Sequence, residues 1–169
     1  FVLNLNYLSA PEKSYRFMLE GLKQLEEVFS SFQIPFFLFS GKAEEIIPEF
    51  LKNIDAGALF TDFDPLRIKR MWKTEIKKKI QIPFFEVDSH NIIPAWLVSP
   101  KKEYSAFTFR KKFNSLYPLF LEEIPALEKN PCFFENANNQ FFWAEAEKKF
   151  HLKEKGRCNP FFQPGEAAA

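Results

Sequence analysis

The sequence contains 169 residues, of which 46% are hydrophobic and 27% are charged, and its net charge at pH 7 is +1. This length and composition indicate one folded domain with a sizeable core and exclude a disordered chain. The near-neutral net charge provides no bulk electrostatic attraction to nucleic acid or to a membrane, although it allows a local basic patch.

Several classes of protein are excluded by patterns that the sequence lacks. Cys132 and Cys158 form no CxxC pair and no Cys/His cluster, which argues against a disulfide framework and a zinc site. No apolar run approaches the roughly 18 residues of a transmembrane helix, and we expect no signal peptide. We therefore expect a soluble intracellular protein, cytoplasmic or, in a eukaryote, nuclear, with no membrane partner and no metal.

Phenylalanine is unusually abundant, with 23 residues. The simplest explanation is a core in which Phe occupies positions where Leu is commoner. The alternative is that some of these rings face a partner that the sequence does not contain, or a flat aromatic ligand.

The chain begins with alternating strand and helix patterns. Residues 1–5 form an apolar, strand-like run, after which Ser9 and Glu12 have the spacing of a capping box. Apolar residues then recur at helical spacing as far as Phe32 and predict a long amphipathic helix. A strand of the buried type is predicted at 34–40.

The same alternation continues through the middle of the chain. A helix is predicted over Glu44–Ile54, with Pro48 at a helix start or a kink, followed by a strand at 57–61. The next helix is predicted at 65–80 and the next apolar strand at 82–88.

The last long helix is predicted over Glu103–Leu121. Its apolar stripe at helical spacing consists of Phe109, Phe113, Leu116 and Phe120. From about Glu122 the pattern decays into a proline-rich segment with one short helical candidate near Phe141–Phe150. We predict an α/β domain at 1–121 and a long, partly ordered linker at 122–169.

Strands that are apolar throughout and alternate with amphipathic helices are typical of parallel strands covered on both faces. The order of elements therefore predicts a three-layer, doubly wound α/β domain. In such folds ligands bind beyond the carboxyl ends of the strands. Those ends are predicted at 4–6, Ser40–Gly41, 62–64 and 88–91.

The segment TDFDPLR carries two carboxylates that we interpret differently. Asp64 and Pro65 are the residue types preferred at the N-cap and the first position of a helix, so their predicted role is structural. Asp62 is not needed as a cap. It either accepts hydrogen bonds from loop amides or pairs with Arg67, or it contacts a ligand or an interface.

The segment EVDSHN, like TDFDPLR, lies at the end of a predicted strand. Asp88 closes the fourth strand at the same predicted edge, and His90 and Asn91 follow it there. A lone His in a loop is commonly a structural residue. Two strand ends that carry acids at one edge nevertheless favour a shared pocket.

Other charged groups and motifs are less informative. The cluster Lys101, Lys102, Arg110, Lys111 and Lys112 is either a solvated helix face or a phosphate contact. Lys77–Lys79 suits a helix C-terminus. The sequence lacks a Gly-rich phosphate loop, a nucleophile elbow and a metal-ligand spacing at His90 and His151, so we assign no catalytic residues and no metal.

Several motifs in a fixed order resemble the N-terminal domain of class II cyclobutane pyrimidine dimer DNA photolyases. They are YRFMLEGLKQLEE, IPFFLFSG, DAGALFTDFDPLR, IPFFEVDSHNIIPAWLVSPKKEYSAFTFRKKF and PGEAAA. The patterns TDFxPLR and VDxHNxxPxW are the most distinctive. The resemblance extends from residue 1 to about 120, weakens through the linker and returns at 164–169.

The resemblance implies light-driven repair of cyclobutane pyrimidine dimers by a reduced FAD, which a helical C-terminal domain holds. It implies that this Rossmann-like α/β domain packs against the helical domain and can hold an antenna chromophore, a deazaflavin in some members. Damaged DNA is then a partner of the whole protein. The antenna crevice is expected to include Asp62, Phe63, Arg67, Asp88, His90 and Asn91.

The sequence departs from the family pattern in several places. The family usually has Ser at Asp64, which preserves a capping role, and Cys at Ala95. The family's first strand, with its W-S-R-D-R type motif and its helix, is missing; in a sheet of order 3-2-1-4-5 that strand is the middle one. The helical domain expected after Ala169 is missing too. We therefore expect a fragment or a truncated product that does not repair DNA by itself.

Two other functions remain as alternatives. One is a stand-alone module that binds a nucleotide or a chromophore in the crevice at the strand ends. The other is a cryptochrome-like photoreceptor, which requires the same helical domain.

Overall fold

The structure is a computed structural model that describes residues 1–4, 7–132, 140–150 and 163–165. Predictions that concern Asn6, His151 and Cys158 lie outside these residues. The elements are β1 (Val2–Leu3), α1 (Glu12–Ser31), β2 (Phe39–Ser40), α2 (Ala43–Asn53), β3 (Leu59–Asp62), α3 (Arg67–Lys79), β4 (Phe84–Val87), α4 (Ala95–Val98), α5 (Ala106–Phe120) and α6 (Gln140–Lys149).

The strands pair in parallel, as the alternation of strands and helices predicts. β1 pairs with β2, with Leu3 opposite Ser40. β3 pairs with β4, from Leu59 opposite Phe84 to Asp62 opposite Val87. Within the described residues these are two separate two-stranded sheets.

Each strand is shorter than predicted, and proline explains part of the difference. The predicted strands at 34–40 and 82–88 both begin with Ile-Pro. Pro35 and Pro83 lack the N–H that a central position in a ladder requires, and the ladders begin only at Phe39 and Phe84.

Two predicted helix caps are wrong. α1 begins at Glu12 with Pro11 at the N-cap, and Ser9 belongs to the 3₁₀ turn Tyr7–Ser9. The hydroxyl of Tyr15, which lies in α1, accepts the Tyr7 N–H at 3.0 Å and connects this turn to the helix.

The start of α3 is shifted in the same way. The helix begins at Arg67, because Leu66 has an extended backbone, with φ −62° and ψ 131°. Asp64 is therefore not the N-cap and Pro65 is not the first helical residue. Asp64 Oδ1 still accepts the Leu66 N–H at 2.9 Å, which makes it the acceptor of a turn just before the helix.

The remaining helices are close to their predicted positions, with one correction. Pro48 lies inside α2, so of its two predicted positions, a helix start or a kink, only the kink remains. α5 begins at Ala106, where Ser105 Oγ accepts the Phe107 N–H at 3.2 Å, so Glu103 lies outside the helix. The short helix α4 was not predicted.

The chain divides into two compact units, which are described separately. Unit 1 comprises the described parts of Phe1–Ala43 and Ala126–Ala169, and unit 2 comprises Glu44–Pro125. Unit 1 contains β1, α1, β2 and α6, and unit 2 contains the other elements.

The core of unit 1 joins α1, the first sheet and α6. Its buried members are Leu3, Leu19, Phe36, Leu38, Trp143 and Ala146, and Met18, Leu22, Leu25, Phe29 and Phe150 pack against them. The predicted stripe of α1 is thus confirmed, and Leu19 adds to it. Trp143 also donates its indole N–H to Glu26 at 2.6 Å, and Lys23 pairs with Glu147. These contacts fix α6 on α1.

Unit 1 also contains a close approach between two glycines. A Cβ added at Gly21, in the middle of α1, would lie 3.4 Å from the nitrogen of Gly165. Gly165 has φ +97°, and a Cβ there would lie 1.7 Å from Gln24 Oε1. Gly165 therefore requires glycine, because of both its positive φ and the lack of space, whereas a Cβ at Gly21 would make an ordinary van der Waals contact.

Unit 2 leaves much apolar surface uncovered. The apolar stripe of α5 contains no fully buried residue, and Phe109 is 42% exposed. Phe60 and Phe85 lie opposite each other on one face of the second sheet, stack at 4.8 Å between ring centroids, and are both exposed. Part of the abundant Phe therefore lies outside the core.

We predict that the buried core of unit 1 contributes most of the stability of that unit. Leu19→Ala should lower the free energy of unfolding by about 2–5 kcal/mol, because Leu19 is fully buried. Urea unfolding followed by circular dichroism measures this. The matched control is Leu119→Ala in α5, which is 69% exposed and should change stability by less than about 0.5 kcal/mol. Equal losses in the two variants would contradict the assignment of the core.

Candidate functional site

The carboxyl ends of β3 and β4 lie side by side. The parallel register places Asp62 opposite Val87, and the Phe63 N–H donates to the Val87 carbonyl at 2.7 Å, one residue beyond β3. Ser89 Oγ donates to Asp62 Oδ1 at 2.6 Å. This hydrogen bond connects the two loops that leave the strands, so the two predicted strand ends are brought together.

Asp88 organises the loop after β4. It is the buried charged residue of the described core, and its carboxylate accepts the Asn91 side-chain amide and the backbone N–H of His90 and Ala95. Burial raises the pKa of Asp88, but the hydrogen bonds from Ala95, Asn91 and His90 outweigh it and hold the pKa below the ordinary 3.8. Asp88 therefore holds this loop and the start of α4 in place.

An aromatic pair borders the same edge. The rings of Phe63 and Trp96 meet edge to face at 5.3 Å between centroids, and Trp96 is 43% exposed. Lys73 on α3 lies 5.9 Å from the Phe63 centroid, donates to the Asp62 carbonyl at 3.1 Å and pairs with Glu86. These contacts hold Phe63 at the mouth of the sheet.

The predicted crevice residues therefore fall into three groups. Asp62, Asp88 and Asn91 make loop hydrogen bonds, and Phe63 is fixed by packing. Arg67 and His90 are exposed. The alternative in which Asp62 pairs with Arg67 is not what the structure shows, since the Asp62 carboxylate accepts from Ser89 instead.

Sequence reasoning missed Ser89, Trp96 and Lys73 at this edge. Ser89 follows Asp88 directly, and its position at a strand end could have identified it as a residue of this edge. Trp96 lies in the short helix α4, which the sequence pattern did not predict. Lys73 reaches the edge only because α3 lies against the second sheet, which no local pattern reveals.

A groove of about 560 Å³ lies between α3 and β4 in unit 2. Its lining residues are Phe63, Asp64, Pro65, Arg70, Lys73, Thr74, Lys77, Phe84 and Glu86. We call it the α3–β4 groove. It is distinct from the predicted crevice, with which it shares only Phe63.

The basic cluster near α5 is partly neutralised. Lys112 contacts Glu103 at 2.5 Å and Ser99 Oγ at 3.1 Å. Lys112, followed by the hydroxyls of Ser99 and Thr108, lowers the pKa of Glu103 from 4.5 to about 2. Lys112 therefore has a structural role in joining α4 to α5, and it is not an open phosphate contact.

The described part of the chain contains neither a metal-binding cluster nor a membrane-spanning helix. In it no group of three or more His, Cys, Asp and Glu side chains is placed to hold a metal ion. None of its helices combines the length and apolarity needed to cross a membrane.

Comparisons with known proteins identify the family. The family model described as DNA photolyase matches residues 1–129. The chain is 48% identical over 124 residues to the deoxyribodipyrimidine photo-lyase of Arabidopsis thaliana, 37% over 127 residues to that of Potorous tridactylus, and 30% over 114 residues to that of Methanothermobacter thermautotrophicus. These alignments cover 72%, 74% and 68% of this chain, and 25%, 24% and 25% of the relatives. The chain thus spans about a quarter of the length of the curated relatives it matches.

A solved structure has the same fold. It is described as the crystal structure of an archaeal photolyase from Sulfolobus tokodaii with two FAD molecules, with the implication of a novel light-harvesting cofactor. The TM-score is 0.65 at 18% identity, over 98% of this chain and 36% of that chain. The α/β architecture is that of a photolyase N-terminal domain. The chain belongs to the DNA photolyase family.

We predict that Glu103 contributes stability that depends on pH. Because its folded pKa of about 2 lies below the ordinary 4.5, this contribution is complete above about pH 4.5 and is lost as the pH falls through about 2. Glu103→Gln should therefore be less stable than wild type at neutral pH, and its stability should fall less steeply between these pH values. Urea unfolding across that range measures both slopes, and Glu123→Gln, an exposed Glu after α5, is the control. A wild-type slope no steeper than that of Glu103→Gln would contradict the prediction.

Proposed function

We propose that this chain is the α/β domain of a class II deoxyribodipyrimidine photolyase, which repairs cyclobutane pyrimidine dimers in DNA under light. The observation that supports this best is the 48% identity to the Arabidopsis deoxyribodipyrimidine photo-lyase over 72% of the chain. The class II assignment rests on the motifs TDFxPLR and VDxHNxxPxW, which here read TDFDPLR and VDSHNIIPAW.

In this proposal the repair chemistry lies outside the chain. A helical domain C-terminal to it would hold the FAD, which supplies the electron that splits the dimer. The described residues contain no constellation for covalent or acid–base catalysis. Their role is to form the domain against which the helical domain packs and to hold an antenna chromophore.

The residues at the ends of β3 and β4 fit an antenna chromophore of the deazaflavin type. The paired rings of Phe63 and Trp96 provide apolar surface for a flat ring system. Arg67 and His90 are exposed at the same edge for polar contacts. Asp88 and the hydrogen bond between Asp62 and Ser89 keep both loops fixed, so these groups are preorganised. Such a chromophore, when bound, absorbs light and transfers the excitation energy.

We predict that repair requires the helical domain. A full-length protein that contains this chain should repair a cyclobutane thymine dimer in an oligonucleotide under blue light and not in darkness, and the 169-residue chain alone should not. Recovery of a restriction site that the dimer blocks measures repair. Flavin absorbance together with photorepair by the purified 169-residue chain would overturn the division of roles.

We predict that the chain binds a deazaflavin through the Phe63–Trp96 pair. Titration with 8-hydroxy-5-deazaflavin, followed by its fluorescence, should saturate. Trp96→Ala should weaken binding by about tenfold, because an aromatic contact of about 1.4 kcal/mol is lost. The control is Trp72→Ala, which removes an indole from α3 and should leave the Kd unchanged. No saturable binding, or an equal loss in both variants, would contradict the antenna site.

A further inference from the structure

α3 is far more basic than the stability of a helix requires. Seven of its 13 residues are Lys or Arg, and Glu75 is its single acidic residue. This local excess contrasts with the net charge of +1 for the whole chain. Arg67 and Arg70 lie at the start of the helix, where cations oppose the helix dipole, so helix stability does not account for them.

Four of the seven cations have partners within the chain. The contacts are Lys69 over the Trp72 ring, Lys73 with Glu86, Lys78 with Glu75, and Lys79 with the Glu44 carbonyl. The other three are Arg67, Arg70 and Lys77, whose side chains make no hydrogen bond or ion pair in the described part of the chain. All three are exposed.

The three unpaired cations lie on one face of α3. With Thr74 they occupy positions spaced by three, four and three residues, which follow one side of a helix. At 1.5 Å per residue, the row from Arg67 to Lys77 is about 15 Å long. A row of this length reaches several successive phosphates of one strand, and its three cations can neutralise three of them.

The α3–β4 groove runs beside this row. Arg70, Thr74 and Lys77 form its helical wall, and Phe63 and Phe84 provide apolar surface inside it. A cationic row that borders an aromatic groove is the arrangement by which proteins bind single-stranded nucleic acid, with phosphates along the cations and bases against the rings.

We propose that the α3–β4 groove and the row Arg67, Arg70 and Lys77 bind one strand of nucleic acid. The phosphodiester backbone lies along α3, and the bases rest against Phe63 and Phe84. A mononucleotide fits less well, because its phosphate meets only one end of a row about 15 Å long. The inference goes beyond the proposed function, because it assigns nucleic-acid binding to this chain itself and does not need the helical domain.

The test is fluorescence anisotropy of labelled 12-nucleotide oligo(dT) and oligo(rU) with the 169-residue protein. With three phosphates neutralised, the logarithm of the binding constant should fall with the logarithm of salt concentration at a slope of about −2. Affinity should then fall about 20-fold between about 50 mM and about 200 mM salt. The two oligonucleotides distinguish DNA from RNA, and a peptide nucleic acid of the same bases, which has no phosphate, should not bind.

The variant Arg70→Gln/Lys77→Gln should reduce the slope to about −0.7 and weaken binding at low salt. The matched control is Lys101→Gln/Lys102→Gln, which removes the same charge from exposed positions outside the groove and should leave the slope unchanged. If the first variant fails to fold, acetylation of Lys77 in wild type, read by mass spectrometry, replaces it. Oligo(dT) should protect Lys77 and not Lys101.

Three results would overturn the proposal. The first is no salt-dependent binding of the oligonucleotides by wild type. The second is an equal loss of affinity in both double variants, or no protection of Lys77 from acetylation. The third is tighter binding of thymidine monophosphate than of oligo(dT). The last result would indicate a small anion as the ligand. Photorepair by the full-length protein is a separate measurement, so failure here leaves the proposed function standing.

Discussion

The parallel register between β3 and β4 is the constraint on which the candidate site depends. Because the two strands pair residue by residue from Leu59 to Asp62, their last residues lie opposite each other. The loops that follow therefore start from one edge, and one hydroxyl, that of Ser89, is enough to join them. A shift of the register by one residue would turn Asp62 and Phe60 to the opposite face of the sheet.

The carboxylates at this edge have different physical roles. Asp88 is buried and accepts hydrogen bonds from its own loop. These donors stabilise the charged carboxylate, which would be unfavourable at a buried position without them. Asp62 is exposed and makes one side-chain contact, and Asp64 supports the turn before α3. Of these three acids, Asp88 and Asp64 thus have a structural role in holding the backbone.

The order and type of the long elements were predictable from the sequence, because hydrophobic periodicity reports which face of an element is buried. The stripe of α1 shows this, since its apolar residues form the core of unit 1. Two helix starts were not predictable, because the extended backbone of Pro11 and of Leu66 places them beyond the predicted caps Ser9 and Asp64. Periodicity shows that one face of α5 is apolar, and it does not show how far that face is covered. At the site, the residue types at the strand ends were predictable, whereas the contributions of Trp96 and Lys73 depend on tertiary packing.

The attachment of α6 to α1 affects the order in which the chain can fold during synthesis. Unit 2 is continuous in sequence, whereas the core of unit 1 needs Trp143 and Ala146 together with Leu3 and Leu38. At about 5–20 residues per second, a ribosome needs on the order of 5–20 s to make the roughly 100 residues between these parts. During that interval the apolar face of α1 has no α6 to cover it. The inserted unit can fold first, and unit 1 is the part of the nascent chain that a chaperone has reason to protect.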